Sequence, residues 1–148
     1  MATFTVTTAA DVVNAGDGVL SLREAVQQAN ATAAADTIQF ASVLEGQTLT
    51  LTQGQLTIAD VDPADFSDSL TIDGDGDDNG SRMTISGGDQ SRVLEIQDRV
   101  DVGISGLVIS DGDVDSGSGG GILIGERCDV SIDTSQIRNC SAGGLGDE

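Results

Sequence analysis

Apolar residues recur in pairs two positions apart along most of this chain, and one stretch contains the same pattern twice. Residues 94–112 align with residues 122–140 at a shift of 28 positions. The matched apolar pairs are Leu94 with Ile122, Ile96 with Ile124, Val102 with Val130, Ile104 with Ile132, and Ile109 with Ile137. A spacing of two is the period of a β-strand. Because a unit of three short strands cannot bury its apolar face alone, the repeat predicts a solenoid of stacked copies.

The rest of the chain carries the same strand pattern in shorter pieces. Residues 3–8 alternate, with Phe4 and Val6 on one side and threonines on the other. Further inward pairs are Ile38 and Phe40, Leu49 and Leu51, Leu56 and Ile58, Leu70 and Ile72, and Met83 and Ile85. These pairs and the repeat together predict about six coils, which would stack to roughly 30 Å at a strand spacing of about 4.8 Å.

Residues 21–31 form the segment with helical periodicity. An apolar stripe follows the helical spacing at Leu22, Ala25, Val26 and Ala29. Ser21 and Glu24 have the spacing of a capping box. The opposite face is expected to hold Arg23, Gln27, Gln28 and Asn30. Because so short a helix is marginal alone, we expect it to cover the open first coil as an N-terminal cap.

Composition narrows the class of partner. The 148 residues include 25 acidic residues and six basic ones, all of them arginine, for a net charge of −19. Nucleic acid and anionic lipid both require positive potential, so we expect neither as a partner. Three phenylalanines are the only aromatic residues. Sandwich and barrel cores usually include large aromatic rings, whereas a narrow solenoid core can be filled by aliphatic side chains alone, so the composition favours a solenoid.

Two cysteines and the N-terminus bear on localisation. Cys128 and Cys140 fall opposite Val100 and Gly112 in the repeat. This placement leaves open whether they form a disulfide, and neither lies near the further ligands of a zinc site. No classical secretion signal follows Met1, and no apolar run approaches a membrane span.

The stretch Gly18-Val-Leu-Ser-Leu-Arg-Glu-Ala-Val26, followed by Asp36-Thr-Ile-Gln-Phe40, resembles the CSLREA domain, with Leu20 in place of the family's cysteine. Later phrases such as Ser69-Leu-Thr-Ile-Asp-Gly74 and Ile104-Ser-Gly-Leu-Val-Ile-Ser110 are similar to the repeats of polymorphic outer-membrane-type proteins. The resemblance implies an all-β, right-handed parallel β-helix and an extracellular or cell-surface location. It implies no catalytic residues.

Two aspartate-rich segments are candidate calcium loops. Asp75, Asp77 and Asn79, followed by Gly80, place oxygen ligands at alternate positions before a glycine, as the first half of a calcium loop does. Ser86 stands where the bidentate glutamate would complete that loop. Asp111, Asp113 and Asp115 form a second alternating set. Stacked loops could share an ion, but aspartate, asparagine and glycine are also ordinary turn residues.

Enzymatic chemistry has little support in these residues. Glycoside hydrolysis needs two carboxyl groups at a set separation, and lyase chemistry commonly uses lysine, histidine, arginine or tyrosine as a base. Lysine, histidine and tyrosine are all absent. Arg99 and Arg127 occupy equivalent positions in the repeat, and we expect them to form an outward ladder beside Asp98, Asp101 and Asp129.

The sequence thus predicts one parallel β-helix domain, with the first strand and cap in residues 1–36 and the coils in residues 37–148. We expect a non-enzymatic structural or adhesive module, with calcium as a hypothetical ligand and self-association through open solenoid edges, as in a fibre subunit. The alternative is a polysaccharide-binding or polysaccharide-modifying β-helix fragment, and surface glycans are the corresponding partners.

Overall fold

The computed structural model describes residues 2–14, 16–32, 35–59, 69–75, 82–97, 99–114, 120–138 and 140–142. The helix α1 spans Leu22–Asn30, and a short 3-10 turn spans Ser42–Leu44. The strands are β1 (Ala2–Val6), β2 (Ala35–Phe40), β3 (Thr48–Thr50), β4 (Leu56–Ile58), β5 (Ser69–Asp73), β6 (Met83–Ser86), β7 (Leu94–Ile96), β8 (Asp101–Ser105), β9 (Leu107–Ser110), β10 (Asp113–Val114), β11 (Ile122–Ile124), β12 (Val130–Asp133), β13 (Gln136–Arg138) and β14 (Ser141–Ala142).

These strands form parallel sheets that run along the stack. The first sheet has the order β1-β2-β5-β8-β12, the second β3-β6-β9-β13, and the third β4-β7-β11. A small fourth sheet pairs β10 with β14. A complete turn of the chain therefore contributes one strand to each main sheet, and successive strands of a sheet come from successive turns. This arrangement confirms the predicted parallel β-helix.

The repeat sets the register between the third and fourth turns. Ile124 pairs with Ile96, Ile132 with Ile104, and Ile137 with Ile109, so each pair joins equivalent positions of the sequence repeat. Towards the N-terminal turns, the columns continue through Ile58 in the third sheet, Ile72 and Ile38 in the first, and Ile85 and Leu49 in the second. The predicted stacking of aliphatic pairs is confirmed, and these columns form the core.

The described residues make about four turns, so the expectation of about six coils is wrong. In the first sheet, Asp36 pairs with Leu70, Leu70 with Val102, and Val102 with Val130. Of these three steps along the chain, only the last has the length of the sequence repeat, and the two earlier ones are longer. The early turns are longer because they include extra residues between strands. Several apolar pairs that looked like separate coils are therefore successive strands of one turn.

Residues 2–14 and 16–32 form an additional partial turn that covers the first coil. β1 pairs with β2, and α1 contacts β1, β2 and β4. The predicted capping box is present: Ser21 accepts from the Glu24 amide, and the Glu24 side chain accepts from the Ser21 amide. The predicted apolar stripe lies in the core, with Leu22, Ala25, Val26 and Ala29 all buried. The helix is therefore the N-terminal cap that the sequence predicts.

Candidate functional site

The first candidate calcium segment is described only at Asp75; Asp77 and Asn79 lie outside the described residues. Asp75 follows β5 at the corner where the chain leaves the first sheet for the second. Its amide donates to Oδ1 of Asp73 at 3.1 Å, and the residue is 8 % exposed. This geometry is that of an aspartate turn closing a strand end.

The second segment is described at Asp111 and Asp113, and Asp115 lies outside the described residues. Asp111 has a positive φ of 54° directly after β9. Its Oδ2 accepts hydrogen bonds from the hydroxyls of Ser86 at 3.1 Å and Ser110 at 3.2 Å. The Asp113 amide donates to the carbonyl oxygen of Ser91 at 2.9 Å. Asp111 thus connects two successive turns through their serines.

The described residues of the two segments lie at different corners of the solenoid. Asp75 lies between the first and second sheets, whereas Asp111 and Asp113 lie after the second sheet, where β10 begins. Within the part of the chain that the structure describes, no group of three or more cysteine, aspartate or glutamate side chains is arranged to hold a metal ion. A single ion shared by Asp75 and Asp111 does not fit this placement.

A shallow groove of about 200 Å³ lies on the outer face of the first sheet. Its polar lining comes from Ser69, Thr71, Asp101, Asp129 and Ser131. Gly103 stands between Thr71 and Ser131 in one outward column, and the missing side chain deepens the groove there. A Cβ on Gly103 would lie 3.8 Å from Thr71 Oγ1, its nearest neighbour, so packing does not require glycine at this position.

The carboxylates of this groove follow the repeat. Asp101 Oδ1 accepts a hydrogen bond from the Asp129 amide, one turn later, at 3.0 Å. Both residues are exposed. The face therefore presents short hydroxyl and carboxylate side chains around a gap, which is a set of hydrogen-bonding groups suited to a polyhydroxylated ligand.

A second groove, of about 240 Å³, lies between α1 and β4. Its lining includes Arg23, Asn30 and Gln55. All three already bind within the protein: Arg23 donates to the Gln55 carbonyl at 3.2 Å, Asn30 donates to the Thr57 carbonyl, and Gln55 accepts from Arg92 at 2.7 Å. This groove is a seam between the cap and the third sheet.

Asp11 and Arg23 attach the cap to the first coil, a role that the sequence reasoning missed. Arg23 Nε donates to Asp11 Oδ1 at 2.7 Å, and the Asp11 side chain is only 1 % exposed. Asp11 Oδ2 accepts from the amides of Thr52 and Gln53 at 2.7 and 3.0 Å. Arg23, on the face of the helix opposite the apolar stripe, therefore binds within the protein. Nothing in the local pattern could show that this face meets polar backbone.

Asn30 lies on the same face of the helix, and its side chain makes hydrogen bonds to the edge of β4 that a neighbouring strand would otherwise make. β4 is the outermost strand of the third sheet on the side of the cap. The Asn30 side-chain amide donates to the Thr57 carbonyl at 2.9 Å and accepts from the Ala59 amide at 3.1 Å. These two backbone groups are two positions apart, which is the spacing that a neighbouring parallel strand would satisfy. Of the four residues expected on the face opposite the apolar stripe, Gln27 and Gln28 are exposed.

Two carboxylates of the cap have altered acidity. Burial by itself would raise the pKa of Asp11, but the hydrogen bonds from Arg23, Thr52 and Gln53 together hold it below its ordinary value. The backbone amides of Ser21 and Asn14 lower the pKa of Glu24 in the same way. Both groups are therefore held in the ionised form that these hydrogen bonds require.

The remaining predicted residues also have defined places. Arg99 and Arg127 have positive φ angles of 69° and 61°, so the repeat places them at the same point of successive turns, and Arg127 is exposed. Cys128 and Cys140 are free thiols. Their Sγ atoms lie near different carbonyls, that of Gln97 at 3.0 Å and that of Arg138 at 3.2 Å.

No described helix combines the length and apolar character that crossing a bilayer requires. No family model matches the sequence, and no curated protein or solved structure matches it either.

Proposed function

We propose that this chain is a non-enzymatic structural and adhesive module that works outside the cell or at the cell surface. The observation that carries the proposal is the continuous stacking of aliphatic columns through the described turns, closed at one end by the cap. Such a core holds the outer faces of the sheets rigidly, as a scaffold or adhesive surface requires. The net charge of −19 keeps the surface solvated, and the CSLREA resemblance supports an external location.

The adhesive surface in this proposal is the outer face of the first sheet. Its groove around Gly103 offers hydroxyl and carboxylate groups to a glycan, and the negative charge of Asp101 and Asp129 disfavours anionic glycans. We therefore expect neutral or amino-sugar polysaccharides to bind better than uronate-rich ones.

A panel of neutral, cationic and anionic polysaccharides tests both halves of the proposal. We expect binding, measured by affinity electrophoresis or calorimetry, without release of new reducing ends or unsaturated products. Gly103→Thr should weaken binding by filling the groove, while Thr48→Gln, on the outer face of the second sheet, should leave it unchanged. Turnover of any glycan would instead support the alternative, a polysaccharide-modifying β-helix, and would overturn the non-enzymatic proposal.

Calcium is a second ligand in the proposal, with the segments of Asp75, Asp77 and Asn79 and of Asp111, Asp113 and Asp115 as its binding loops. Relief of repulsion between nearby carboxylates is the physical reason for binding. About 5 mM calcium should raise the unfolding midpoint more than magnesium does at equal ionic strength, because calcium accepts irregular oxygen shells more readily. Equal midpoints in the two salts would remove calcium from the proposal.

A further inference from the structure

The groove on the outer face of the first sheet crosses the strands instead of following one of them. Its lining forms two rows, each with one residue from β5, one from β8, and one from β12 or the position just before it. One row is Ser69, Asp101 and Asp129, and the other is Thr71, Gly103 and Ser131. Leu70 and Val102 lie between the rows with buried side chains, so the floor of the groove is backbone.

The register between turns fixes the direction of these rows. From β5 to β8, Ser69 pairs with Asp101 and Thr71 pairs with Gly103. From β8 to β12, Gly103 pairs with Ser131. Successive members of a row therefore come from successive turns, about 4.8 Å apart, and the groove runs along the long axis of the solenoid. The two rows are two residues apart along each strand, which is a separation of about 7 Å.

Both rows continue into the strands nearer the cap. Ala35 pairs with Ser69 and Thr37 pairs with Thr71, so β2 adds one residue to each row. Thr3 pairs with Thr37 and extends the second row into β1. These added side chains are small, so the rows stay low as they approach the cap. A ligand that lies lengthwise therefore has five strands to contact, over roughly 19 Å.

An extended sugar chain has the shape that such a groove fits. When the two linkage oxygens of a pyranose ring are equatorial and opposite each other, as in a β-1,4-linked glucan, the chain is a straight, flat ribbon with hydroxyl groups along both edges. One ring of this ribbon advances by close to the strand spacing of about 4.8 Å. The two rows therefore meet the two edges of the ribbon at each strand, where hydroxyl side chains donate and accept hydrogen bonds and carboxylates accept them.

We propose that this groove binds a linear, equatorially linked glycan lengthwise, parallel to the solenoid axis and with one ring to a strand. The inference rests on the proposed adhesive function and adds the shape of the glycan and its direction on the sheet. An α-1,4-linked chain of the same sugar coils, so it leaves a straight groove after one or two rings. The rows carry uncharged side chains in β1 and β2 and carboxylates at Asp101 and Asp129, which suits neutral or amino-bearing rings.

Calorimetry with oligosaccharides of defined length tests the shape of the ligand. Cello-oligosaccharides and glucosamine oligomers are β-1,4-linked, whereas malto-oligosaccharides contain the same glucose as the first series in α-1,4 linkage. We expect the affinity for at least one β-linked series to rise about threefold or more per ring up to about five rings, one for each strand, and then to level off. The malto-oligosaccharides should show no such rise.

The possible failures separate this inference from the function on which it rests. An affinity that does not grow with length, or that grows equally in the malto-oligosaccharide series, would overturn the lengthwise assignment. Binding to the wider panel of polysaccharides would then leave the adhesive function in place. Absence of binding to every glycan of that panel would overturn both.

Two matched variants test the direction of the chain. Thr37→Gln changes a row residue that lies two strands from Gly103, about 10 Å along the groove. Ser105→Gln changes an outward residue of β8 that lies about 7 Å from Gly103 along the strand and outside the groove lining. Both variants keep a neutral side chain on the same face of the sheet.

Lengthwise binding predicts that Thr37→Gln lowers the affinity for the longer oligomers at least about threefold and leaves the affinity for disaccharides unchanged. Ser105→Gln should change neither affinity. The reverse pattern, or no effect of Thr37→Gln, would overturn the assigned direction. Circular dichroism checks the fold of both variants, and the length series on the unaltered chain does not depend on either of them.

Discussion

Glycines at two nearby positions of the third turn have different physical roles. Gly106 has a positive φ of 64°, and a Cβ there would lie 2.6 Å from Asp75 Cβ in the turn below. Gly103 lies in the middle of β8, with room for a Cβ. Glycine is therefore required at the corner by both backbone and packing, whereas on the sheet it only leaves a gap.

This difference gives a residue-scale prediction. Gly103→Ala should leave the free energy of unfolding unchanged or raise it by up to about 1 kcal/mol, because glycine in a strand costs conformational entropy. Gly106→Ala should lower it by at least about 2 kcal/mol, from the left-handed backbone and the overlap with Asp75. Urea denaturation of both variants measures the two changes. Similar losses in both would mean that Gly103 is also required by packing.

Asn30 gives a second prediction at this scale. Asn30→Leu removes the donor to Thr57 and the acceptor for Ala59, so two backbone groups at the edge of β4 lose their partner. We expect a loss of about 1–3 kcal/mol in the free energy of unfolding. Gln27→Leu, at an exposed position of the same helix, is the matched control and should change stability little. Equal changes would show that the edge does not depend on Asn30.

The cap is the element whose attachment depends most on charge. Asp11 joins α1, through Arg23, to Thr52 and Gln53 of the first coil, and Glu24 joins the helix start to Asn14. The chain also places Glu95 and Arg92 near this seam, where both side chains contact Gln55. The cap is thus attached to the first coil by hydrogen bonds and an ion pair as well as by burial of its apolar stripe.

Acid should therefore weaken the cap. Because the folded-state pKa values of Asp11 and Glu24 are lowered, their contribution is fully present above the unfolded values of about 4. It is lost as the pH falls through the lower folded values. In that range the Thr52 and Gln53 amides should lose protection, measured relative to intrinsic exchange at the same pH, before the amides of β8 do.

Asp11→Asn isolates this effect from the general loss of negative charge in acid. The variant should be less stable than the original chain at pH 7. The difference should shrink as the pH falls below about 4, because Asp11 then takes up a proton more readily in the unfolded chain than in the folded one. Thermal unfolding followed by circular dichroism over this range measures it. A difference that stays constant with pH would show that the ionised form of Asp11 does not anchor the cap.

At the scale of the whole molecule, net charge opposes the compact fold. Nineteen excess negative charges repel one another across a small solenoid. Raising sodium chloride from about 0.02 to about 0.5 M shortens the Debye length several-fold and should raise the unfolding midpoint. An unchanged midpoint would mean that local ion pairs already balance the repulsion. The calcium test is made at constant ionic strength so that binding is separated from this screening.

The sequence by itself determined the columns, the register of the last two turns, and the cap. Side-chain alternation in a strand is local, and a repeat of unvaried length brings Ile96 next to Ile124 with no further information. The capping box and apolar stripe of α1 are equally local, so residues 21–31 were enough to place the helix and its buried face.

Only the tertiary structure decided the number of turns and the partners of the polar residues. The early turns differ in length from each other and from the later repeat, so counting strands could not count coils. Asp11, Arg23 and Asn30 bind backbone groups that are distant along the chain, in the segment from Thr52 to Ala59. The sequence around a polar residue is the same whether its side chain faces water or binds the edge of a sheet. Only the packing of the helix against the coils places these side chains at a sheet edge.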